Sequence, residues 1–154
     1  MKRLSNKARV LVADGSHALV LRNDGDAQNP DLKMVRTYSQ DNPATRDQGS
    51  DKPGRSNDAL DRRSAMETTD WHQLAEDRFV QRVANAMADD LAEGAYEKLV
   101  VAAPPDALGE FRKSVSDAVA RATILEINKD LTGHPVHEIG KIVVKALEEA
   151  DARR

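Results

Sequence analysis

Asp14 follows the apolar run Ala8 to Ala13 and is the first residue placed to do chemistry. A carboxylate at the tip of a strand could open a two-metal nuclease centre, which gathers several carboxylates around its ions. The later apolar run that should supply a partner ends Ala102-Ala103-Pro104, with no acid at its tip. The required convergence is missing, and Asp14-Gly15 reads instead as turn chemistry. His134 and His137, three residues apart near a helix start, could reach one metal ion. No third ligand cluster accompanies them, so they read as solvated. Ser16 and His17 are neighbours, and adjacency alone does not build a catalytic relay. His72 has no partner in the pattern either. We therefore expect no catalytic residue, no metal site and no cofactor.

Binding chemistry has better candidates. Lys52, Gly54, Arg55 and Ser56 lie in the turn Lys52-Pro53-Gly54-Arg55-Ser56. An arginine fork and exposed backbone N–H groups both suit a phosphate, which makes these four the first expected binding residues. The alternative is a solvated loop with no ligand. Arg112, Lys129 and Asp130 form the second set. Arg112 lies near the apolar face of its helix, where a salt bridge to a carboxylate is the plain structural account.

The elements that must hold these residues can be read from periodicity. Two β-branched runs, Ala8 to Ala13 and Ala18 to Leu21, flank an Asp-Gly pair and predict a β-hairpin. Leu32 to Tyr38 alternates imperfectly and predicts a third, edge-like strand. From Gln40 to Thr69 the composition turns to Asp, Asn, Arg, Ser, Pro and Gly without a period, a long polar loop. Its arginines and Lys52 are interspersed with aspartates, so it is mixed in sign rather than a basic arm. Asp70 with Gln73 has the form of a capping box. Trp71, Ala75, Phe79, Val83, Met87 and Leu91 then recur every four residues, predicting a long helix ended by Gly94. Leu99 to Ala103 is apolar throughout and predicts a strand buried on both faces and paired in parallel. A helix after Pro104-Pro105, a fifth strand over Ala122 to Ile127 and a last helix over Pro135 to Ala152 complete the chain. This order predicts an α/β, ribonuclease H-like mixed five-stranded sheet: three antiparallel strands, then alternating helix and strand, with helices on its faces.

Composition narrows the function classes. The 154 residues are the size of one domain, and we treat 1–154 as a single one. Only Trp71, Tyr38, Tyr96, Phe79 and Phe111 are aromatic, too few for single-strand nucleic-acid binding on stacked rings. A net charge of -3 lacks the dense basic footprint of a DNA binder, so any RNA contact must be local. The absence of cysteine suits a reducing cytoplasm. No run reaches signal-peptide or membrane-spanning length, and a cytoplasmic protein without membrane contact is expected.

Several segments carry a family resemblance in their order and spacing. They are Ala8-Arg-Val-Leu-Val-Ala-Asp-Gly, Ser50-Asp-Lys-Pro-Gly-Arg-Ser, the helix with Phe79 and Val83, Leu99-Val-Val-Ala-Ala-Pro-Pro-Asp-Ala-Leu-Gly-Glu-Phe-Arg and Glu126-Ile-Asn-Lys-Asp-Leu-Thr. Over roughly Ala8 to Leu147 the chain resembles the bacterial host-attachment protein family, among the bacterial relatives of archaeal and eukaryotic class 1 peptide release factors. The resemblance implies a fold like the middle domain of those factors, where the loop after the third strand carries a catalytic Gly-Gly-Gln tip. Here that loop offers Pro53-Gly54-Arg55-Ser56, with one glycine and no following glutamine, and Gln48-Gly49 has the reverse order. The resemblance thus implies a non-catalytic binding domain, acting indirectly in attachment to host cells through an unknown protein partner. The alternative is a translation-associated protein that binds RNA or the ribosome without the hydrolytic motif. The oligomeric state is open.

Overall fold

The computed structural model describes residues 3–40 and 65–153, together with the helical backbone but not the side chains of 65–70. Its elements are β1 (Arg9–Ala13), β2 (His17–Asn23), β3 (Leu32–Ser39), α1 (Ala65–Ala92), β4 (Leu99–Ala102), α2 (Pro105–Ser114), α3 (Asp117–Ala122), β5 (Thr123–Ile127) and α4 (Val136–Ala152). The strands form one sheet in the order β3-β2-β1-β4-β5. β2 is antiparallel to both β1 and β3, whereas β4 is parallel to both β1 and β5. This is the mixed five-stranded sheet expected from the pattern, with β3 on its edge.

The central strands explain why two cores can coexist. Successive side chains of a strand point to opposite faces, and β1 and β4 are apolar on both. Leu11, Ala13, Leu99 and Val101 pack with Phe79, Val83 and Met87 of α1 and with Leu108, Phe111 and Val119. Val10, Val12, Val100 and Ala102 pack with Ile139, Val143 and Leu147 of α4. Among the described residues, three helices therefore lie on one face and a single helix on the other.

α1 departs from expectation at its start. It begins at Ala65, inside the stretch read as loop, and runs through Asp70 without a break. Asp70 is consequently no N-cap, and Gln73 donates from Nε2 to Asp77 Oδ1 at 2.9 Å instead of reaching back. The apolar stripe also stops short of this end: Trp71 and Leu74 are exposed, and the buried part begins at Phe79. The opposite end behaves as read. Gly94 adopts φ +80°, its N–H reaches Leu91 O, and Ala95 N–H reaches Asp90 O, a Schellman closure. A short α3 was not anticipated; Ser116 caps it, its Oγ accepting from Val119 N at 3.2 Å.

Charge closes the lower edge of the sheet, where β1 and β4 begin. Arg9 Nη1 lies 3.4 Å from Asp90 Oδ2, with both side chains nearly buried, and Arg36 stands 3.8 Å from Asp90 Oδ1. Tyr96 donates its hydroxyl to Met87 O at 2.7 Å, and burial, reinforced by Asp90, pushes its phenol up to about 12. Asn23, fully buried at the end of β2, donates to Leu4 O and accepts from Gly25 and Asp31 N–H groups. Each buried amide atom is satisfied, as burial requires.

Candidate functional site

At the upper edge the connections diverge. β1 turns back through Asp14, Gly15 and Ser16 into β2, while the chain after β4 crosses into α2 on the α1 face. Such a divergence beside parallel strands leaves a crevice at their C-terminal ends. Here it is a cleft of about 410 Å³ bounded by Asp14 and Gly15, by Glu76 and Asp77 of α1, and by Pro104 and Asp106. Gln40, the last described residue before 41–64, is fastened to the same turn: its N–H donates to Ser16 O at 2.7 Å and its Nε2 to Gly15 O at 3.2 Å. The chain therefore leaves for the Pro-Gly turn from the lip of this cleft.

Asp14 is committed to the hairpin. Its Oδ1 accepts from Ser16 N and His17 N, both at 2.7 Å, and from Ser16 Oγ at 3.3 Å. An aspartate bonding the backbone two and three residues ahead is the turn role read from its type. Gly15 does not supply the positive φ that Asp-Gly suggests; the Glu76 side chain lies over it, and a Cβ there would stand 2.7 Å from Cδ and push that flexible carboxylate aside. Ser16 Oγ lies 3.0 Å from His17 Nδ1, and Asp14 meets that same hydroxyl. Acid and imidazole thus converge on the serine instead of standing in series, so no proton relay is formed.

The second expected set is divided by the fold. Arg112 forks onto Glu126 of β5, with Nε at 2.8 Å and Nη2 at 2.6 Å from Oε1, and that carboxylate raises the guanidinium further above its ordinary value. It ties α2 to the edge strand and does not meet Lys129 or Asp130. Lys129 is exposed on the connection from β5 to α4. Asp130 does approach the cleft: Thr132 Oγ1 lies 2.5 Å from Asp130 Oδ1 and 3.3 Å from Asp14 Oδ2, linking the two carboxylates through one hydroxyl. Lys52, Gly54, Arg55 and Ser56 lie outside the described residues.

The histidine pair does not converge. His134 Nδ1 turns to Glu138 Oε1 at 3.5 Å, and His137 is exposed. Among the described residues no group of three or more His, Cys, Asp or Glu is spaced to hold a metal ion. Among those same residues no helix is long and apolar enough to cross a membrane. Sequence reading missed Glu76, whose role depends on a glycine 61 positions away and leaves no local signal.

Comparison with known proteins supplies the rest. No curated protein sequence matches the chain. Two solved structures are similar at 13% identity: an archaeal translation termination factor, aRF1, with a TM-score of 0.46, and an archaeal protein with 0.45. Each alignment covers 94% of this chain, which spans about two fifths of their length. Residues 7–143 match one family across both cores and the segment between β3 and α1, and the chain belongs to it: bacterial archaeo-eukaryotic release factor family 12.

Proposed function

We propose that this domain is a translation-associated protein that binds RNA or the ribosome through the segment following β3 and does not hydrolyse peptidyl-tRNA. The observation that carries the reading is the family match over 7–143, which spans that segment while the segment itself lacks Gly-Gly-Gln. Two further points support it. The carboxylate at the cleft lip, Asp14, is engaged by turn hydrogen bonds rather than held free for chemistry. Among the described residues the cleft lining bears Asp14, Glu76, Asp77 and Asp106 and no cation, which disfavours phosphate there, and on this reading contact with RNA falls to Lys52, Arg55 and Ser56. The protein works in the cytoplasm on this reading. The family match gives no support to a role in attachment to host cells.

A pull-down from lysate with and without ribonuclease tests the proposal. Ribosomal proteins and RNA retained by the wild type, and released by ribonuclease, are expected. A protein partner held equally well after ribonuclease would replace this reading with a protein-binding one. Steady turnover of peptidyl-tRNA by the purified chain would also overturn it.

A further inference from the structure

Among the described residues the two faces of the sheet are covered unequally: α1, α2 and α3 pack on one, α4 alone on the other. Five strands at about 4.8 Å spacing span roughly 20 Å, and a helix with its side chains is about 10–12 Å across. One helix, here lying closest to β3, therefore leaves part of its face uncovered by described residues. Met34, set on this face by its pairing with buried Leu21, is 52% exposed there. Beside it, between β3 and α4, runs a groove of about 540 Å³ whose apolar lining is Pro30, Leu32, Val136 and Val144. Gly140 sets its depth, since a Cβ at that position would stand 3.5 Å from Leu32 Cδ1. A second hollow of about 680 Å³ continues along α4 past Val144 and Glu148, which border both.

One rim of the groove is cationic. His137, Lys141 and Lys145 recur every four residues and so share one line of α4. Neither lysine has a hydrogen bond or ion pair with a described residue, and Asp31 on the opposite side is engaged by Lys33 at 3.6 Å. We propose that this groove docks an acidic amphipathic helix of a partner protein, which completes the layer that α4 leaves half covered. The straight floor beside a helix accepts the apolar ridge of a second one, and carboxylates flanking that ridge meet Lys141 and Lys145. Nucleic acid fits less well, because no Phe, Tyr or Trp ring lines the groove to stack a base, whereas its apolar floor suits a ridge of aliphatic side chains. The proposal rests on the fold and is independent of the translation reading.

The test titrates the full chain into a fluorescein-labelled helical peptide of about four turns, leucines on one face and glutamates beside them, read by anisotropy. Saturable binding is expected, about tenfold weaker for Lys141→Glu/Lys145→Glu and for Val144→Asp, with unchanged far-UV circular dichroism. Gly140→Ala guards against misfolding: its methyl meets Leu32 at ordinary contact distance and alanine favours the helix, so melting stays unchanged or rises while binding weakens. A version with lysine in place of glutamate should not bind. Failure of the glutamate peptide to saturate, or equal binding of the lysine peptide, overturns the proposal. So does binding of a labelled oligouridylate that depends on Lys141 and Lys145. Self-association lost in Val144→Asp would assign the groove to a second copy and overturn it equally.

Discussion

Arg9 and Asp14 stand at opposite ends of β1, and the chain uses their charges differently. At the lower end, Arg9, Asp90 and Tyr96 are nearly sealed, and their groups answer one another: the guanidinium lies 5.8 Å over the Tyr96 ring and 3.4 Å from the carboxylate. Arg9 Nε is buried without a hydrogen-bond partner among the described residues. At the upper end, Asp14 is bonded to its own turn, while the cleft beside it remains open and uniformly acidic. The lower edge holds the helix against the sheet; the upper edge fastens Gln40 to the β1–β2 turn beside a cleft that the described residues leave open. Function is expected where charge faces solvent, and stability where it does not.

Substitutions can break this contrast, beginning with the largest effect. Asp90→Ala strands Arg9 with no buried carboxylate and should destabilise the fold by about 3 kcal/mol in urea unfolding. A cost no greater than that of an exposed pair would show that the lower clamp is ornamental. Tyr96→Phe removes the bond to Met87 O and should cost about 1–2 kcal/mol. It also carries a pH signature. The folded phenol is raised to about 12 from 10.0, so its contribution is complete below the ordinary tyrosine value and lost as pH rises through about 12. Wild-type stability should fall between those values more steeply than that of Tyr96→Phe.

At the upper edge the expected costs are smaller. Asp14→Ala should cost about 1 kcal/mol through its turn bonds, and Asp14→Asn, which keeps the Oδ1 acceptor, about half of that or less. A large loss of ribosome binding in Asp14→Asn at unchanged stability would instead give the acid a functional role. Away from either edge, Glu110 of α2 is bonded to α1. Its carboxyl is held below the ordinary range, first by Gln81, which donates from Nε2 at 3.1 Å, and then by Ser114 and Lys113. A lowered folded value means its contribution is present above the ordinary glutamate range and lost as pH falls through the folded one. Acid unfolding monitored by circular dichroism should begin at higher pH in wild type than the same curve corrected for Glu110→Gln predicts.

The strands were legible because β-branched runs bounded by Asp-Gly and Pro-Pro leave few alternatives, and β4 announced its parallel pairing by being apolar on both faces. The start of α1 was illegible for the opposite reason: the sequence Ala65–Asp70 has no apolar period, and Asp70 mimics a cap within a helix already under way. α3 was hidden because six residues bury only Val119, although Ser116-Asp117 offered a capping signal. Of the site, Asp14 could be read as a turn residue from its own type. The approach of Glu76 to Gly15, and the division of Arg112 from Asp130, depend on contacts between distant segments that no spacing encodes.

Ribosome co-sedimentation over a salt series, comparing wild type with Lys52→Ala/Arg55→Ala, tests the upper-edge assignment most directly. The account predicts that wild type pellets with ribosomes at low salt and is released as salt rises, while the double variant stays in the supernatant with unchanged melting. Wild type remaining in the supernatant at low salt, or a double variant that pellets equally well, would contradict it.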